Sequence, residues 1–128
     1  MALLPLNVFK TKTAILTNDP TARVYTAPVG TTAIILMANA ANIDAANTHF
    51  VSFAHHRNLP VLPDTQGNGG QSGNVTTEQV VGFGVPTGNA ASLLAGKMII
   101  ESLDSVIAYA DVPGVIKLTL SILETANA

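Results

Sequence analysis

Apolar and polar residues alternate along much of this chain. Near the C-terminal end, GVIKLTLSIL puts Ile116, Leu118, Leu120 and Ile122 on one face and Lys117, Thr119 and Ser121 on the other. A period of two marks a half-buried β-strand, because successive side chains leave a strand on opposite sides. VVGFGV repeats the pattern, with Val81, Phe83 and Val85 alternating against Gly82 and Gly84. KMIIE and SVIAYA are β-rich runs parted by about two residues near Leu103 and Asp104, which predicts a hairpin. RVYTA ends in a turn over Pro28 to Gly30 that leads into TTAIILMAN. That run is apolar on both faces, which predicts a central strand covered on each side. Its β-branched residues and flanking Gly and Asn favour strand over helix.

THFVSFAHHR and NVFKTKTAIL are further strands, the second with less cleanly separated faces. One piece, GNAASLLAG, reads as helical, with Asn89 as a cap and Gly96 as a stop. About eight strands at short intervals, joined by Pro, Gly, Asn and Asp turns, predict an all-β fold. The expected form is a single antiparallel β-sandwich of jelly-roll or immunoglobulin-like type. Residues 1–10 read as an N-terminal arm, and 11–128 as one sandwich domain with a Gly-rich loop at 63–74.

Composition changes this picture in one respect. The chain has 128 residues and only 11% of them are charged, against roughly 25% in an average soluble domain. A surface made of Thr, Asn, Ser and Ala sheds its water more cheaply than one made of Lys and Glu. That leans towards a subunit whose outside is partly buried in an assembly. The net charge of −2, with six scattered basic residues, gives no electrostatic reason to bind nucleic acid. The start, MALLPLNVFK, lacks the basic opening, long apolar run and cleavage site of a signal peptide. No apolar run approaches the ~20 residues of a membrane-spanning helix. There is no cysteine for a disulfide or a metal.

The candidate chemistry is thin. His49, His55 and His56 lie close in sequence, but on a strand His55 and His56 point to opposite faces. His49 and His55 share a face six residues apart, roughly 20 Å. That is too far for one ion, which needs each nitrogen within about 2 Å, so exposed or interface histidines are expected and no metal. Glu101 and Asp104 are three apart at a turn and read as acceptors of backbone N–H bonds rather than a catalytic pair. No G-x-S-x-G elbow is present. DTQGNGGQSGN (Asp64 to Asn74) has four glycines but no following lysine and no following helix, so it is not a phosphate cradle. Its glycines give backbone freedom to a long strand-to-strand connection.

Several of these segments together resemble a known pattern. VYTAPVGTTAIILMANAAN, VPTGNAASLLAGKMIIESLDSVIAYA and IKLTLSILET are similar to small β-sandwich virion proteins of tailed bacteriophages. The matching positions are Tyr25 to Gly30, Pro86, Leu93 to Gly96, Ile99 to Ile107, and Leu123 with Glu124. Leu103 stands where that pattern has Gly before Asp, and the Gly-rich loop looks like an insertion. The resemblance implies a non-enzymatic virion component made in the host cytoplasm, without cofactor or metal. It would be a homo-oligomeric capsid decoration or cement subunit on the major capsid protein, binding neither nucleic acid nor membrane. The alternatives are a neck, tail or baseplate component and, at a greater distance, a glycan-binding jelly roll. The expected contact residues are Leu3, Leu4, Leu6 and Phe9 of the arm, and Gln66, Asn68, Gln71 and Asn74 of the loop. The three leucines pack into a groove on a neighbour or on their own sandwich.

Overall fold

The computed structural model describes residues 7–58 and 75–126. It holds nine strands and, among the described residues, no helix: β1 (Asn7–Ile15), β2 (Arg23–Thr26), β3 (Thr31–Asn42), β4 (His49–Arg57), β5 (Val75–Val85), β6 (Ala90–Ser92), β7 (Met98–Ile100), β8 (Ser105–Ala110) and β9 (Ile116–Ala126). They form two antiparallel sheets. One runs β1–β9–β3, with β6 and β7 pairing separate stretches of β3, and the other runs β2–β8–β4–β5. The molecule is a β-sandwich, as the alternation predicts. Asn7–Lys10, which the sequence reading placed with the arm, are the first four residues of β1, paired from Thr125 to Ile122 of β9.

The core lies between the sheets and follows the period-two pattern. Ile116, Leu118, Leu120 and Ile122 of β9 are buried, and they face Val51 and Phe53 of β4 and Val106 and Ala108 of β8 across the interior. In β3 the inward set is Ala33 and Ile35, then Ala38 and Ala40. The change of phase comes from a bulge: Ile35 opposes Ile122 and Met37 opposes Ser121, so Leu36 is one residue too many on its strand. Gly30, at φ +74°, closes the Pro28–Thr31 turn into β3, where the Thr31 amide donates to the Pro28 carbonyl at 3.1 Å. Only a residue tolerant of positive φ completes such a turn without strain.

Four sequence expectations change. The KMIIE and SVIAYA runs do not pair as a hairpin; β7 joins β3 in one sheet and β8 joins β2 and β4 in the other. Glu101–Asp104 is therefore a crossover between sheets. Its amides and carbonyls are tied to Ala27: the Leu103 amide donates to Ala27 O at 3.0 Å, and the Ala27 amide to Asp104 O at 3.0 Å. The helix-like GNAASLLAG instead contributes β6, because Asn39–Ala41 of β3 offer a row of backbone groups to pair with. A short segment gains more from a ready-made ladder than from nucleating one helical turn.

In β5 the alternation slips. Val51 opposes Phe83 while Phe53 opposes Val80, a register shift that brings Gly82 to φ +62°. Val81 and Phe83 end up exposed while Val80 and Val85 reach the core. Finally, β3 is central but not covered on both sides. Its outward residues Ile34 and Leu36 are only partly buried and Met37 is exposed.

Candidate assembly surface

The outer face of the β1–β9–β3 sheet carries an exposed apolar row. Registers place Phe9 opposite Leu123, Leu123 opposite Ile34, and Ile34 opposite Ile99. One apolar residue from each of four adjacent strands thus forms a row across the sheet. Phe9 is 75% and Ile99 58% exposed, with Leu123 and Ile34 half-buried between them. The next row adds Met37 and Leu36 at the β3 bulge, and a hollow of about 200 Å³ opens between Phe9, Thr11, Leu36 and Ser121. Polar uncharged rows flank this stripe: Asn7, Thr125 and Thr32 on one side, Thr13, Thr119 and Asn39 on the other. Among the outward positions of β1, β9 and β3 the only charge is Lys117, at the far end. An apolar centre with a polar, uncharged rim is the make-up of a protein contact surface.

The inward side of β1 behaves differently. β1 is an edge strand, and Lys10 points between the sheets opposite buried Ile122, with Lys12 opposite Leu120. Together with Arg23 they line a groove of about 320 Å³ between β1 and β2. Lys10 Nζ lies 3.0 Å from Glu124 Oε1, and the Tyr25 hydroxyl donates to Glu124 Oε2 at 2.5 Å. Burial raises the Glu124 carboxyl, but the bonds from Tyr25 and Lys10 and the Lys10 charge outweigh it and hold it below its ordinary range. Burial, with the adjoining carboxylate, pushes the Tyr25 hydroxyl well above its usual value. Charges aimed inward at an open edge resist indiscriminate strand pairing there.

Two further polar clusters fasten loops. His49 is buried rather than exposed: its Nε2 faces Asp44 Oδ2 at 2.6 Å and its Nδ1 faces Asp111 Oδ1 at 3.2 Å. The Asp44 bond raises the imidazole above its ordinary value against the opposing effect of burial, and the same bond lowers Asp44. The imidazole, bonded to both carboxylates, ties the β3–β4 loop to the β8–β9 loop. At the other end of β4, Asp104 accepts the Asn58 amide at 2.9 Å and lies 3.4 Å from Arg57 Nε, while Arg57 Nη2 donates to Glu101 Oε2 at 2.6 Å. Glu101 and Asp104 therefore share one guanidinium, and Asp104 also accepts a backbone amide. His55 Nε2 stands 3.8 Å from Asp104 Oδ2, and burial lowers that imidazole. His56 bonds Thr76 and contacts Arg23. Among the described residues no three His, Asp or Glu side chains are set to hold a metal ion, and no helix is long and apolar enough to cross a membrane.

Of the contact residues expected from sequence, Phe9 lies at one end of the stripe. Leu3, Leu4, Leu6, Gln66, Asn68, Gln71 and Asn74 lie outside the described residues. Sequence reasoning missed Leu123, Ile34 and Ile99. The available signal was Leu123, which sits in phase with Lys117, Thr119 and Ser121 yet is apolar.

No family model and no curated protein matches the chain. Among solved structures, the crystal structure of the T13 IBDV viral particle is similar over 96% of this chain, at 6% identity and a TM-score of 0.44. The chain spans 31% of that chain's length.

Proposed function

We propose that the protein is a non-enzymatic structural subunit of a tailed-bacteriophage virion. It decorates or cements the capsid by burying its charge-poor surface against the major capsid protein and its own neighbours. The observation that carries this reading is the outer face of the β1–β9–β3 sheet. It exposes an apolar row across four strands and offers a single charge among its outward positions on three of them. Leaving Phe9 and Ile99 in water forgoes roughly 1.5–3 kcal/mol for each such side chain, which assembly recovers. The motifs around Tyr25 to Gly30 and Ile99 to Ile107, similar to small phage virion proteins, support the bacteriophage setting.

Protein composition and imaging of purified particles test the reading. The chain is expected in a fixed copy number per particle, located on the head. Density for it at the neck, tail or baseplate would move the subunit there, and its absence from particles would overturn the proposal.

A further inference from the structure

We infer that the groove between the open edges of β1 and β2 takes an added β-strand: an extended acidic segment of another polypeptide, paired with β1 and setting carboxylates against Lys12 and Arg23. The site is separate from the apolar stripe and does not rest on the virion reading.

The backbone supplies the first half of the site. The amide of Leu16, just past β1, donates to Ile116 O at 2.9 Å, in the register that pairs β1 with β9. In an antiparallel ladder such bonds recur at every second residue. The even-numbered residues of β1 therefore bond β9, and the amides and carbonyls of Phe9, Thr11 and Thr13 point from the open edge. Thr11 borders the groove of about 320 Å³, and Thr13 a second hollow of about 270 Å³. Both include Lys12, Arg23 and Val24, so they form one channel along β1. From Lys10 to Thr17 it runs about 25 Å, the length of a strand of roughly eight residues. Outward-pointing backbone groups are what an exposed sheet edge uses to capture an extended peptide, while alternate side chains set the specificity.

Charge selects the occupant. A strand laid on β1 covers Lys12, which points inward, and burying a cation without a partner is costly. Lys10 already has Glu124 at 3.0 Å. Among the described residues no carboxylate pairs with Lys12 or with Arg23, whose Nη2 lies 3.3 Å from His56 Nε2. A neutral or basic strand is therefore turned away, and one with carboxylates on its inward face is held. Carboxylates two residues apart share a face. The acids of this chain nowhere stand two residues apart, so no strand of a second copy supplies such a pair. A nucleic acid brings negative charge but no amides and carbonyls in strand register for Thr11 and Thr13.

The probe is a labelled peptide, TVTETETVT, with TVTKTKTVT as its control. Purified protein should bind the acidic peptide saturably and the control at least about tenfold more weakly, since attraction becomes repulsion at two positions. Lys12→Glu combined with Arg23→Glu should reverse that preference with unchanged circular dichroism. On binding, hydrogen exchange should slow at the Phe9, Thr11 and Thr13 amides and change little at Lys10 and Lys12, which already bond β9. Should the double variant misfold, this protection in the parent protein decides alone. Absence of saturable binding, equal binding of the two peptides, or binding that leaves the Thr11 and Thr13 amides unprotected overturns the inference. So does tighter binding of single-stranded DNA, which would make the groove a phosphate site. These measurements use the isolated protein, so their failure leaves the virion reading standing, and absence of the chain from particles leaves this site standing.

Discussion

Leu103 holds φ at +69°, a conformation that costs an ordinary L-residue roughly 1 kcal/mol or more. It is kept there by its surroundings: the Asp104 amide closes the turn onto Glu101 O at 2.9 Å, and the Leu103 amide is held by Ala27 O. Its side chain, 43% exposed, gains little burial in exchange. The sequence reading marks this position as the place where glycine is expected, and the backbone adopts the glycine conformation even though the residue is leucine. Leu103→Gly should therefore stabilise the protein. Strain relief of about 1 kcal/mol less the added freedom of the unfolded chain leaves a net gain of about 0.5 kcal/mol. A higher urea midpoint at unchanged slope is the expected result; a lower midpoint would show that the turn is not strained.

At the scale of elements, the crossover from β7 to β8 joins the two sheets, and Asp104 fastens it. Its carboxyl is buried, 1% exposed, against Arg57, His55 and the Asn58 amide. Asp104→Ala removes the acceptor of the Asn58 amide and the carboxylate that faces Arg57 and His55, and should cost about 3 kcal/mol in chemical denaturation, the usual effect of removing one member of a buried ion pair. A loss under ~1 kcal/mol, typical of exposed pairs, would mean that Arg57 and Glu101 hold the turn without it. β9 was legible as a strand from its alternation, and β3 from its β-branched residues and flanking Gly and Asn. Pairing was not. MII followed by SVIAYA satisfies every local rule for a hairpin, and only the competing ladder on β3 draws Met98–Ile100 away. The same ladder turns Ala90–Ser92 from a helical turn into β6. Local pattern cannot report a partner strand some sixty residues distant in the chain.

For the molecule as a whole, stability should carry a pH signature from the loop clamp. His49 has a raised pKa in the fold, so its contribution is complete below its ordinary value of 6.5 and fades as pH rises through the folded value. Asp44 is lowered, so its contribution is complete above 3.8 and fades as pH falls through its folded value. The stability gap between the parent and His49→Gln should therefore be widest between pH 3.8 and 6.5 and narrow on either side. A gap that is flat across that range and beyond would show that packing, not charge, makes the contact. The sequence hides this clamp because Asp44, His49 and Asp111 meet only when two loops converge. The stripe is hidden for a similar reason. Ile34 sits in a run that reads as covered on both sides, and its outer neighbours become evident only once the register is known.

The stripe also has a history within each molecule. Its four residues come from positions 9, 34, 99 and 123, so the first and last strands must close on each other before the row exists. A chain still emerging from the ribosome, or one with β1 not yet docked on β9, has no such patch to offer. Recruitment into a larger structure would then act as an inspection step that admits only finished subunits and leaves incomplete ones behind.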